Sequence, residues 1–457
     1  MTGLPCTRMN RTGLRRTLPT LLLGLAASTA AHAIDLLEAY QLALANEPTY
    51  RAARAEADAS QEALPQALSQ LLPNLQASGT QSRADTTQTS PSLTGPDNTR
   101  QFDYTSSNYS LILRQPLYRP QAWAGYKQAE ANVGSYLAKL DGEAQNLGNR
   151  VAGAYFDALM AEDFLAFVLA QKEAYLAQLN AAQRAFTLGE GTRTDIDEAQ
   201  ARYDLTLAQE LQARQNNRFT KHQLETLVNV PVPSLAKLDP ARMDLGTLRP
   251  ASLEEWTDKT VASNPQMRQL LALLESAKQE VDKARSGHLP TLDLFVQYRK
   301  SDNDSEATIN QRNATSQIGL QLAIPLYAGG YTESTIRQAL AHVERVQEQI
   351  EAVRRALRLQ VRKEFQSIVE GEENIRANEV AVHSADQAIA STRRGVEAGR
   401  RTPLDVLNAL QQKATAARDL ANARYQYAMA RVRLMSLGGS LDTESIKTVN
   451  RWLIREG

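Results

Sequence analysis

The sequence predicts a mainly α-helical chain, built twice over, that carries a small amount of β-strand. Three observations lead there. Residues 121–187 and 331–396 contain no proline and are dense in Ala, Gln, Glu and Arg. Two short segments, YSLILRQPLYRP at 109–120 and SQIGLQLAIPLYAGG at 316–330, carry apolar residues in steps of two, the period of a strand. And the first half of the chain has a counterpart in the second, segment by segment.

The chain opens differently from the rest. Arg8, Arg11, Arg15 and Arg16 precede the apolar run at 18–33, and no acid occurs before Asp35. A basic stretch, a short apolar run and a final Ala31-His32-Ala33 predict a signal peptide, residues 1–33, cleaved after Ala33. Its removal takes four arginines and no acid, leaving 47 basic and 51 acidic residues, a formal net charge of −4. Cys6, the only cysteine, leaves with it, so disulfides and thiol chemistry are not expected. No later run reaches the roughly 18 to 20 apolar residues of a membrane-spanning helix.

The first repeat, 34–245, begins with an Ala-rich helical segment at 43–78. Its counterpart at 260–295 opens the second repeat, 246–440; residues 441–457 form a C-terminal tail. Pro48 matches Pro265 and Pro73 matches Pro290, both at an offset of 217. Each helix opens at Asn-X-Pro or Asn-Pro and closes at Leu-Pro. A hairpin follows in each half, at 75–115 and 291–324, with strands near 75–84, 104–115, 291–299 and 315–324. Polar loops at 87–99 and 301–313 join them. On the strand at 291–299, Leu292, Leu294, Val296 and Tyr298 share a face, and Phe295 is a large apolar residue on the other.

Pro116 and Pro325 cannot donate a ladder hydrogen bond, so they fit where a strand stops and a helix begins. The proline-free stretches behind them are coiled-coil material on the order of 100 Å long, with Gly142, Gly148, Gly153 and Gly371 as places where a helix could break. The composition continues through 192–228 and 404–436. Between these arms, LGEGTRTDIDEAQ at 188–200 matches EAGRRTPLDVLNA at 397–409, with Asp195 and Asp405 separated by 210.

Lys plus Arg and Asp plus Glu are both 51, which gives no basic excess for nucleic acid. Five scattered His residues make no metal cluster. No HExxH, Gly-X-Ser-X-Gly or phosphate loop occurs, so no catalytic residue, cofactor or metal is expected. The strands pose the physical question. Outward-facing Ile318, Leu320, Leu322 and Ile324 need apolar surroundings, while two hairpins leave open edges. In lipid each unpaired backbone group costs several kcal/mol, and four strands are too few to close a barrel. Either several chains complete one barrel, or the sheet packs on helices in a soluble protein.

The duplication, the LPxL approaches to the hairpins, the QPLY and IPLY exits, the paired Gly-X5-Asp turns and ANARYQYAMARVRLMSLGGSL at 421–441 resemble the TolC family of outer-membrane efflux and secretion channels. The resemblance covers essentially the whole chain after residue 33. It implies a homotrimer whose twelve strands, four per chain, form one outer-membrane β-barrel, continued by a coiled-coil helical tunnel across the periplasm. It implies docking to a periplasmic adaptor and to an ABC or proton-driven transporter of the inner membrane. The alternative is a soluble periplasmic coiled-coil adaptor or structural protein.

The same resemblance places the Gly-X5-Asp turns at the closed periplasmic entrance. Thr194 and Asp195 match positions in closing links, Arg401 matches their arginine partner, and Asp405 matches the first residue of an acidic constriction ring. Asn408 stands where the second acid belongs, and Val396 where a closing tyrosine can stand. Three Asp405 carboxylates brought together would raise one another's pKa and attract cations. Thr194 and Thr402 are equally accounted for by a hydroxyl-assisted turn into a helix. The missing lipid-anchor cysteine favours the protein-secretion branch over drug efflux.

Overall fold

The computed structural model describes residues 33–246, 252–303 and 311–454. The segment expected to be a signal peptide lies outside them except for Ala33, as do residues 304–310 of the second hairpin loop. In the first half, α1 (Leu36–Asn46), α2 (Pro48–Gln61) and α3 (Ala63–Ser69) lead into β1 (Asn74–Ser90) and β2 (Asn98–Tyr118). The long α4 (Pro120–Thr187) and α5 (Arg193–Val228) follow, then a short β3 (Lys237–Leu238). The second half repeats the order with α6 (Leu253–Ser263), α7 (Pro265–Arg285), β4 (Thr291–Asn303), β5 (Gln311–Ala323), α8 (Tyr331–Glu397) and α9 (Pro403–Leu437). α10 (Thr443–Asn450) and β6 (Leu453–Ile454) end the described chain.

Local chemistry explains the helix starts. Pro48 and Pro265 occupy the first turns of α2 and α7, where a missing N–H costs nothing. The residues before them, Glu47 and Asn264, accept the amides of Tyr50 (2.6 Å) and Met267 (3.2 Å). α4 and α8 run 68 and 67 residues without interruption. The four glycines marked as possible breaks are instead places of close approach. A Cβ on Gly148 would lie 2.6 Å from Leu441, and one on Gly371 would lie 3.3 Å from Tyr427. Gly142 faces Pro265 and Gly153 faces Met429. Among the described residues, no helix is long and apolar enough to cross a membrane.

The two halves share one order of elements, and α7 of the second lies along both long helices. The half of α4 nearer the sheet lies along α7, and its far half lies along α5. α8 likewise packs first on α7 and then on α9. Ion pairs tie the rods at intervals: Lys172–Glu210 (2.8 Å) between α4 and α5, and Lys413–Asp386 (2.6 Å) between α9 and α8. Midway along, the main core gathers Leu36, Tyr40, Tyr155, Phe156, Leu224, Val361, Tyr427 and Leu434. The Tyr155 hydroxyl donates into the carbonyls of Ala236 (2.9 Å) and Ile34 (3.1 Å), which fastens the segment before α1 to this core. Beyond residue 441 the chain is part of the same core: Ile446, Val449 and Trp452 are buried there, and β6 pairs with β3.

The sheet is four-stranded and antiparallel, in the order β1-β2-β4-β5. Both hairpin strands of the first half are longer than the expected 75–84 and 104–115, and the loop expected at 87–99 shrinks to 91–97. Apart from Phe102 and the Pro116-Leu117-Tyr118 end the added residues are polar, so no apolar alternation marks them. Pro116 does not end β2, contrary to expectation. It sits opposite Asp293, and the register shifts before Tyr118 pairs with Leu292. Such an irregularity absorbs the missing donor. Pro325 does follow a strand end, at Ala323.

Candidate functional site

Register decides what each face of the sheet offers. Leu75 pairs with Leu113 and Ala77 with Leu111. Leu113 pairs with Val296 and Leu111 with Tyr298. Val296 pairs with Ile318, and Leu294 and Leu292 with Leu320 and Leu322. Directly opposed residues share a face, so one apolar surface runs unbroken across all four strands. Ile318, Leu320 and Leu322 are 73%, 64% and 61% exposed in the single chain, so something outside the chain must cover them. Ile324 is 55% exposed and follows the last residue of β5. Covering such side chains contributes about 1.5 to 3 kcal/mol each.

The opposite face is polar. Arg114 donates to Gln321 (3.0 Å), Arg299 to Asn108 (3.2 Å), and Arg119 to Asp293 (2.6 Å). Phe295, which with Ile112 is apolar on this face, lies over Gly319, where a Cβ would come within 2.8 Å of its ring. It fills the gap that a glycine leaves on a pleated surface. Gly79 and Tyr109 make the corresponding pair on the apolar face, at 3.2 Å. Among the described residues, β1 and β5 have no neighbour on their outer edges.

At the far end of the rods the two turns share one construction. Gly189 (φ +80°) and Gly399 (φ +67°) take the left-handed conformation that ends α4 and α8. The amides of Glu190 and Arg400 return to Ala185 and Gly395, at 2.9 Å in each case. Three residues after each glycine, a threonine and an aspartate form a reciprocal capping box. The Thr192 amide donates to Asp195 (2.9 Å) and the Asp195 amide to Thr192 (3.2 Å). Thr402 and Asp405 repeat this at 2.9 Å and 3.4 Å.

Within one chain these residues have local partners. The capping hydroxyl before α5 is that of Thr192; Thr194 stands exposed one position into the helix. Asp195 is engaged by Thr192, and among the described residues no ion pair joins it to Arg401. Arg401 faces Asp405 instead, at 3.8 Å, with both side chains partly in solvent. Its stem lies against Gly395, where a Cβ would approach Arg401 Cγ to 2.7 Å. Within one chain the Thr402 amide, then its hydroxyl, hold the Asp405 carboxyl below its ordinary value, and Arg401 adds to this.

Sequence reasoning missed the residue that joins the two turns. Arg202 on α5 donates to Asn408 (3.1 Å) and to Gln411 on α9. Asn408 thus supplies an acceptor where a second acid was expected. Beneath this bridge Tyr175, Leu179, Ala199 and Leu407 form a small buried cluster. The available signal was spacing, since Arg202 follows Asp195 by two helical turns on the same face. Among the described residues no cluster of His, Cys, Asp and Glu could hold a metal ion.

Known proteins share this arrangement. Residues 39–230 and 256–440 match the family model described as outer membrane efflux protein, once for each half of the chain. The alkaline protease secretion protein AprF of Pseudomonas aeruginosa is 36% identical over 423 residues, covering 92% of this chain and 87% of that protein. The proteases secretion protein PrtF of Dickeya chrysanthemi is 33% identical over 438 residues, covering 95% and 94%. In fold, the Campylobacter jejuni CmeC outer membrane channel superposes with a TM-score of 0.76 at 16% identity, covering 98% of each chain. A soluble adaptor is therefore set aside. The chain belongs to the outer membrane efflux protein family: it is a transport channel of the outer membrane reaching into the periplasm, and not an enzyme.

Proposed function

We propose that three copies close one twelve-stranded barrel, each giving a hairpin from each of two repeats, 34–245 and 246–440, and that the helical rods continue it as a tunnel across the periplasm. The open four-stranded sheet with one continuous apolar face carries this reading. In lipid its two bare edges would leave rows of backbone groups unpaired, each costing several kcal/mol. Neighbouring copies of the same sheet remove both edges at once. Ile318, Leu320, Leu322 and Ile324 then face lipid, and Arg114, Asp293 and Gln321 face the lumen.

The turns at Gly189 and Gly399 form the periplasmic entrance, with Arg202, Asn408, Arg401 and Asp405 limiting its width and charge. A periplasmic adaptor docks to the rods and links them to an inner-membrane ABC transporter, and the cargo is a secreted protein. Two relatives named for protease secretion, at 36% and 33% identity, support that cargo. The family description as efflux proteins favours a second reading, drug export with a proton-driven transporter. Deletion of the gene should remove at least one protein from the culture medium and leave drug sensitivity little changed. An unaltered set of secreted proteins with heightened drug sensitivity would reverse the choice of cargo.

A further inference from the structure

The pairing of β1 with β2 continues well past the pairing of β2 with β4, whose last partners are Ser106 and Asn303. From there to Asn98, β2 and its partner form a free two-stranded ribbon, on the order of 26 Å long at about 3.3 Å per residue. Register runs through it without a bulge, so the faces of the sheet can be followed upward residue by residue. The side that carries Leu75, Ala77, Leu111 and Leu113 below becomes charged above: Arg83 pairs there with Asp103, beside Asp85 and Gln101. The side that carries Asn108 and Arg114 below becomes apolar above: Tyr104 stands opposite Ala84 and Phe102 opposite Thr86. Arg100, next toward the tip, is the charged residue of that upper side. In the second hairpin the Asp302–Arg312 pair (3.1 Å) follows the apolar residues on the same outward face, so the apolar band ends in charge on both hairpins.

This reversal of polarity is not needed by a pore whose wall simply extends into water. An outward charged face suits an aqueous exterior, while the Phe102 and Tyr104 rings, partly buried in the single chain, gain the rest of their cover only from outside the ribbon. We propose that the three ribbons of the assembly lean toward the pore axis and meet through Phe102 and Tyr104, narrowing the outer mouth of the channel. This rests on the trimeric barrel proposed above. The occupant of the aromatic face is the same face of the other two copies, because continuity of register puts all three on the luminal side. Free two-stranded ribbons coil more strongly than strands within a sheet, which permits the inward lean. The channel then has two narrow points of different chemistry, a polar one at the turns and an aromatic one at the exit.

Disulfide trapping tests this directly. Phe102→Cys, in a chain whose Cys6 is changed to Ser, should give a two-chain band on a non-reducing gel after mild oxidation with copper phenanthroline. Reducing agent should remove that band. Asp103→Cys, one residue away on the outward face, should give none. The paired Phe102→Ala and Tyr104→Ala substitutions should raise single-channel conductance in planar bilayers. A trimer intact by mass in detergent that yields no Phe102→Cys cross-link, or cross-links equally through Asp103→Cys, overturns the inference and leaves the barrel standing. Absence of any trimer in the unmodified chain would instead sink the assembly on which it rests.

Discussion

The turn between α4 and α5 and the turn between α8 and α9 have nearly the same backbone and hold different chemistry. Both end a long helix on a left-handed glycine, and both start the next helix with a Thr–Asp capping box. Replacing such a cap costs about 1 kcal/mol of helix stability, so Gly189, Thr192 and Asp195 are accounted for by folding, as are Gly399, Thr402 and Asp405. The side chains left over differ. The first turn has Arg193 beside Asp197 (3.3 Å) and sends Arg202 across to Asn408 and Gln411. The second has Pro403 at its helix start and Arg401 facing Asp405. Where a duplicated fold repeats a residue, the backbone explains it; where the copies part, the channel has room for a specific task. The hairpins teach the same lesson, with a glycine under an aromatic ring in each, on opposite faces of the sheet.

The largest effect that would separate the halves concerns those faces. Leu320→Asp should block membrane insertion of the second hairpin, at a cost of about 2 to 4 kcal/mol near mid-bilayer, somewhat less for an acid than for a base. Gln321→Asp, on the polar face, should insert almost normally in an outer-membrane fractionation assay. Greater sensitivity at Gln321 would put the register off by one and exchange every side chain between faces.

Smaller effects are expected at the turns. Arg202→Ser removes bonds to two acceptors and should raise single-channel conductance more than Arg401→Ser. The solvent-exposed Arg401–Asp405 pair is worth less than about 1 kcal/mol. Asp405→Ala should lower cation selectivity, since up to three charges leave the entrance. Because hydrogen bonds from Thr402 hold its carboxyl below the ordinary value, the charge and the cap bond are present above the unfolded pKa. In a single chain they are lost only as pH falls through the lowered folded value, so the Thr402–Asp405 cap should still be intact at about pH 4, the ordinary Asp value. Equal and unchanged conductance in both arginine variants, with unchanged selectivity in the third, would reduce both turns to chain reversals.

Much of this arrangement was legible in the sequence, for physical reasons that vary along the chain. The rods α4 and α8 were plain because a proline stands at or shortly before each start and none interrupts the stretch behind it. Ile318, Leu320 and Leu322 were plain because a strand with one apolar face alternates. The upper ribbon was hidden because its strands are polar on most positions and show no period. The place of Trp452 and Leu453 in the main core was hidden because two short strands, β3 and β6, bring distant segments together. The Thr192–Asp195 cap was legible too, since an aspartate three residues after a threonine can bond the nearer amide. Arg202 escaped notice because the interaction that defines it spans more than 200 residues.

The claim on which the rest depends is that one chain supplies only part of a barrel wall. Light scattering combined with refractive index, on the channel extracted in mild detergent, measures protein mass free of the bound detergent. The account predicts a single species of three chains, stable on dilution. A stable single chain that conducts ions in planar bilayers would contradict it.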